Sequence, residues 1–204
     1  MSQKPNSDKP TVEKPSRTLS GEYHFNKMEL ASGFNFTPDG KFQFYYVYGA
    51  SDRNATGTYT IEGDSLFLKS DKEGGKDFVI DKQSKRDGNI TIRISSPNPY
   101  LASGVACMCL IDGKEHPFES DKDGLIETDL KKCDLLFVQH LMFPDAGTLI
   151  ADKDNDNNYF ELSLSPSLQQ VSFKWIDFVI KDDVISCGPN YFLPFEDIEY
   201  LKAQ

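Results

Sequence analysis

At 204 residues and 38% hydrophobic content, the chain suits one large or two small domains, each able to bury a core. Its 32 Asp and Glu outweigh 22 Lys and Arg, for a formal charge of −10. That charge repels phosphate backbones and anionic headgroups, which argues against nucleic-acid and membrane-surface roles. No apolar run approaches the ~20 residues of a membrane-spanning helix, so no transmembrane segment is expected.

Residues 1–19 hold prolines at 5, 10 and 15 and almost no large apolar side chain. Such a segment cannot offset its ordering entropy, so a disordered leader is expected. The first apolar cluster comes only near Tyr23, leaving two placements. One is cytoplasmic, if Met1 is the native start; the other is the cell envelope or periplasm, if an export signal was removed.

From Gly21 the texture becomes that of strands. Phe34, Phe36, Phe42, Phe44, Tyr46 and Tyr48 alternate in two runs separated by Pro38-Asp39-Gly40, the pattern of a β-hairpin. A second hairpin follows over 57–68, turning at Glu62-Gly63-Asp64, and Phe78-Val79-Ile80 adds a further strand. Beyond the charged break at 81–88, short apolar segments recur to the C-terminus, including Ile90, Ile92 and Ile94, 105–111, 135–143, 159–164, 175–180 and 184–187. No stretch carries helical spacing over a dozen residues. The expected fold class is all-β: a disordered leader at 1–19, an antiparallel meander or small β-barrel at 20–87, and a β-sandwich at 88–204.

Two resemblances bear on this division. Met28-Glu29-Leu30-Ala31-Ser32-Gly33-Phe34, then Asp39-Gly40-Lys41-Phe42-Gln43-Phe44, Tyr48-Gly49-Ala50-Ser51-Asp52 and Gly57-Thr58-Tyr59 together resemble an uncharacterised bacterial family of small β-barrel, lipocalin-like proteins. The likeness covers about residues 22–68 and implies a fold, with no activity attached. The second half is similar, more loosely, to prealbumin-like sandwich modules of the carboxypeptidase regulatory type, through 90–94, 104–109 and Asp121-Lys122-Asp123-Gly124 before 133–140. Such modules are mostly accessory, which implies a non-enzymatic role.

Candidate chemistry is sparse. Alternation puts Phe42, Phe44, Tyr46 and Tyr48 on one face; they fill a small barrel or, in a wider one, line a cavity for an apolar ligand. Glu29 or Arg53 would then be the orienting polar group. Asp152, Asp154 and Asp156 have the odd spacing of a calcium loop, but Asn157 stands where the turn glycine belongs and Ser163 where the bidentate Glu belongs. The bland reading, a solvated hairpin loop, stands beside that weak calcium candidate. His24, His116 and His140 are far apart in the chain and none adjoins a recognisable nucleophile. Cys107, Cys109, Cys133 and Cys187 leave free thiols, disulfides and a metal site open, since spacing does not choose among pairings.

The expected function is therefore a non-catalytic binding or scaffold protein without a cofactor, holding a small apolar ligand or a protein partner. Two alternatives are an acidic inhibitor or immunity-type protein neutralising a basic partner, and a hydrolase with a dispersed active site.

Overall fold

The alternating aromatics fold as strands β2 (Leu30–Thr37) and β3 (Lys41–Tyr48), between β1 (Gly21–Lys27) on one side and β4 (Ser51–Glu62) and β5 (Ser65–Ser70) on the other. The computed structural model describes residues 17–204, and over them the chain is all-β apart from one short helix, α1 (Pro99–Ala102). Consecutive strands from β1 to β5 pair antiparallel, in registers that keep Phe34, Phe36, Phe42 and Phe44 on the same inward face. Five strands leave two open edges. These are closed by β14 (Phe178–Lys181), β15 (Val184–Cys187) and β16 (Ile198–Lys202), with β5 pairing β14 and β16 pairing β1. The result is a closed eight-stranded barrel, and closure removes the exposed edges that promote aggregation.

The segment between β5 and β14 forms a second body. Strands β6 (Phe78–Ser84), β7 (Thr91–Ser95), β8 (Val105–Ile111), β9 (Lys114–Glu119), β10 (Leu125–Glu127), β11 (Leu135–His140), β12 (Phe143–Asp152) and β13 (Tyr159–Leu164) make two sheets, ordered β10-β7-β13-β6 and β12-β11-β8-β9. Between them lies a core of its own, centred on Ile92, Val105, Cys109, Ile126, Val138 and Phe160.

The expected division at residue 88 is therefore not how the sheets partition. β6 lies before that point yet belongs to the inserted sheets, and β14–β16 lie after it yet complete the barrel. Short alternating strands look alike in either body, and only edge closure reveals which ones the barrel needs. The leader boundary shifts too. Residues 1–16 lie outside the described residues, but Leu19 is buried, and the Tyr59 hydroxyl bonds both its amide and its carbonyl at 2.9 Å. Arg17 reaches the Asp182 carbonyl at 3.0 Å.

The barrel interior is filled. Phe34 packs against Phe44 with ring centroids at 4.8 Å, against Tyr200 at 4.9 Å and against Phe173 at 5.5 Å. Phe173 belongs to no strand. It comes from the segment that returns from the inserted sheets to β14, and contacts Phe42, Phe44, Phe178 and Phe192 as well. Its backbone takes a left-handed φ of 46°, and Trp175 two residues on takes 59°. Each conformation costs a side-chain-bearing residue roughly 1–2 kcal/mol. Burial of Phe173 offsets that cost at the first position. Trp175 is 95% exposed, so nothing in the core repays it there.

One buried histidine links this packing to pH. His140, at the end of β11, is buried against Phe143; its Nε2 donates to the Leu101 carbonyl at 3.1 Å and its Nδ1 accepts from the Met142 amide at 3.2 Å. Burial pushes its pKa below the ordinary 6.5, despite the opposing bond to Leu101. The unfolded chain therefore takes up the proton first as pH falls through about 6.5, and stability drops from there towards the folded pKa. Chemical denaturation at pH 7.5 and 5.5 should show this loss, and His140→Gln should flatten the slope between the two.

Candidate functional site

Arg53 occupies an inward position near the start of β4, where the barrel meets the inserted body. Its guanidinium grips Asp145 of β12 in a bidentate pair, Nη1 to Oδ1 and Nη2 to Oδ2 both at 2.8 Å. Nε donates to the Gln169 carbonyl at 3.0 Å, Nη2 also donates to Gln170 at 3.1 Å, and the group lies over the Phe143 ring at 4.9 Å. Every guanidinium nitrogen is engaged. A second buried pair stands nearby: Lys72 Nζ is 2.7 Å from Asp77 Oδ1 and donates to the Gln170 carbonyl at 2.6 Å, while Asp77 Oδ2 accepts from the Gly147 amide at 2.9 Å. The Arg53–Asp145 pair thus fastens barrel strand β4 to β12 of the insertion, while Lys72, in the link that leaves β5, ties that link to the returning one at Gln170.

Between the fastened bodies runs a cleft of two adjoining hollows that share Pro144 and Tyr191. One, of about 440 Å³, opens at the barrel mouth among Leu30, Tyr46, Tyr48, Met142 and Phe195. The other, of about 420 Å³, lies between Phe137 and Gln139 of β11 and the Ser172–Trp175 segment. Gly147 shapes this second hollow, because any Cβ there would strike the Phe137 ring that leans across β12. The Tyr191 hydroxyl lies between the hollows, sealed from solvent and without a well-formed hydrogen bond. Burial first, then the Asp145 charge, pushes its pKa far up, so it stays a neutral donor. The lining is apolar and aromatic with a few polar groups, the composition of a small-molecule site. Leu135, Phe137 and Leu149 carry an apolar patch onward over the outer face of β11 and β12.

The residues singled out from sequence divide in three. Tyr46, Tyr48 and Arg53 do meet at the barrel mouth. Phe42 and Phe44 are buried in the packed interior, and each also borders a hollow along β2–β4. Glu29 is an exposed turn residue at φ 62° and is outside the cleft. Arg53 is buried and gives four of its five N–H donors to Asp145 and two carbonyls. Its value is in holding the cleft's two walls together.

Asp152, Asp154 and Asp156 are exposed, and the Asp152 carboxylate is occupied by the Asp154 amide at 3.0 Å as part of a tight turn. Among the described residues no group of three or more His, Cys, Asp or Glu is placed to hold a metal ion. All four cysteines are free thiols. Cys107 and Cys109 face the same way on β8 with sulfurs 4.0 Å apart, and Cys133 packs against the same core. The bond with Cys107, along with burial, pushes the Cys109 thiol up to about 12, away from the reactive thiolate.

Sequence reasoning missed Asp145, Phe137, Tyr191 and Trp175. Their partners lie 92 residues away for Arg53 and Asp145, a separation at which no local pattern operates. The apolar run at 175–180 predicts a strand that includes Trp175, whereas Trp175 stands in an irregular segment before β14. No family model, curated protein or solved structure matches this chain.

Proposed function

We propose that the chain is a non-catalytic binding protein whose cleft between barrel mouth and insertion holds a small apolar or aromatic ligand. The observation that carries this reading is Trp175, held at a left-handed φ with its indole almost fully in solvent at the edge of the cleft. Strain of this kind gathers at ligand sites, and a large apolar ring left in water gains most from being covered. The buried, unpaired Tyr191 hydroxyl supports the reading by offering a donor within the same cleft, reachable once its side chain shifts.

We also read the barrel as lipocalin-like. With the insertion set aside, its eight strands run up and down in chain order, each beside its neighbour, which is the meander of that architecture. Unlike a wide lipocalin, the interior here is occupied by Phe34, Phe44 and Phe173, so the ligand site moves from inside the barrel to its mouth.

Trp175 is the single tryptophan, which makes the test direct. N-phenyl-1-naphthylamine, a neutral apolar probe, should quench Trp175 emission and gain fluorescence by energy transfer in a saturable titration. Phe137→Ala and Tyr48→Ala should each weaken it several-fold. A linear, non-saturating response, or one indifferent to both substitutions, contradicts the proposal.

A further inference from the structure

The outer face of β1–β4 carries two rows of residues aligned by the strand register. The first runs Glu22, Asn35, Gln43 and Thr56, and Thr56 Oγ1 continues it by donating to the Asp71 carboxylate at 2.6 Å. The second runs His24, Gly33, Tyr45 and Asn54. The Tyr45 hydroxyl meets His24 Nδ1 at 3.1 Å, and His24 Nε2 lies 3.3 Å from Glu22. To reach β1 from β3, the tyrosine must cross β2, a span of about 9.6 Å. It can do so only by lying along the sheet over Gly33, where a Cβ would stand 2.6 Å from Tyr45 Cε1 and 3.0 Å from His24 Nδ1. One ring face thus rests on the sheet and the other is open; Tyr45 is 39% exposed.

Two adjoining hollows, of about 390 and 690 Å³, share Asn35, Gln43 and Thr56. Within them the amides of Asn35, Gln43 and Asn54 have no side-chain hydrogen bond to any described residue, whereas Tyr45, His24 and Thr56 are tied down. A solvated face needs no tethered ring. A strand interior also has no local need of glycine, which weakens it unless something must approach the backbone closely. Here the approaching group is the platform itself.

We propose that this face is a second binding site, distinct from the cleft, for a neutral oligosaccharide. A carboxamide presents a donor and an acceptor side by side, which suits adjacent sugar hydroxyls, and an aromatic face takes the apolar C–H face of a pyranose. The carboxylates of Glu22 and Asp71 at the row's ends accept from hydroxyls, while the net charge of −10 opposes anionic sugars. The row spans about 19 Å across its strands, the length of a short oligosaccharide.

The test is isothermal titration of the full chain with cellohexaose, xylohexaose, mannohexaose and chitohexaose. At least one should bind with a Kd between about 0.1 and 1 mM. Tyr45→Ala should weaken it about ten-fold, the equivalent of losing one stacking contact, and Trp175→Ala should leave it unchanged. The double variant Gln43→Ala/Asn54→Ala, confined to exposed amides, should also weaken binding and decides the matter should Tyr45→Ala fail to fold. No binding of any of the four at millimolar concentration overturns the proposal. So does binding that survives the Gln43/Asn54 double variant, or that is lost only with Trp175, which would place the sugar in the cleft.

Discussion

Arg53→Met should destabilise the protein by about 3–5 kcal/mol, because it strands the Asp145 carboxylate in a site cut off from water. The Asp145 side chain is only 5% exposed, and that of Arg53 2%, so neither charge can recover hydration without opening the junction. The substitution also removes one donor from each of the Gln169 and Gln170 carbonyls, which keep only the Asn54 amide and Lys72 Nζ. Asp145→Leu alone should cost a similar amount by stranding the guanidinium. The double variant Arg53→Met/Asp145→Leu should recover much of the loss, since buried ion pairs seldom outperform apolar groups of matching size. Urea denaturation of the four proteins measures the coupling as a double-mutant cycle. An additive result would show that the pair does not fasten the two bodies. The cleft provides a second readout: its walls are held by this pair, so saturable probe binding should fall in each single variant.

Phe173→Ala should cost about 3–5 kcal/mol through the cavity it leaves among the barrel aromatics. The loss should be felt across the barrel, since Phe173 touches Phe34, Phe42, Phe44, Phe178 and Phe192, which come from β2, β3, β14 and the segment before β16. Phe173→Leu keeps most of the volume and should cost less than half as much. Thermal unfolding followed by near-ultraviolet circular dichroism reports the aromatic packing directly. A change below about 1 kcal/mol for Phe173→Ala would mean that the returning segment does not plug the barrel. Because Trp175 is two residues away, the variant should also alter its position over the cleft, so core packing and the candidate site are mechanically joined.

The structure also refines what the histidines can do. His140 is a buried structural imidazole, His116 sits half-buried on β9, and His24 tethers Tyr45 on the barrel exterior. His140 and His24 therefore have roles in packing and positioning that their sequence neighbours did not reveal.

The strands themselves were legible in the chain. Alternation at Phe34–Phe36 and Phe42–Tyr46 puts every second side chain inward, and the Pro38-Asp39-Gly40 turn sets the register that aligns Phe34 with Phe44 and Phe36 with Phe42. These are local properties: a strand's period and a turn's geometry depend only on residues a few positions apart. The filled interior was likewise implicit in the number of large aromatics facing inward.

What the sequence could not show is which distant strands close the barrel, and what the closing brings together. β14–β16 complete a sheet begun more than 100 residues earlier, since Tyr23 of β1 pairs with Lys202 of β16. Nothing in their short apolar pattern distinguishes them from the strands of the inserted sheets. Arg53 looked like a polar group available to a ligand because its partner, Asp145, enters from the insertion. Trp175 and Phe137 meet across a cleft that exists only once two bodies are clamped at their crossings. Acidic and β-rich followed from composition and period, which act locally along the chain. The candidate sites depend on edge closure and buried charge pairing, which act between segments that the chain keeps far apart.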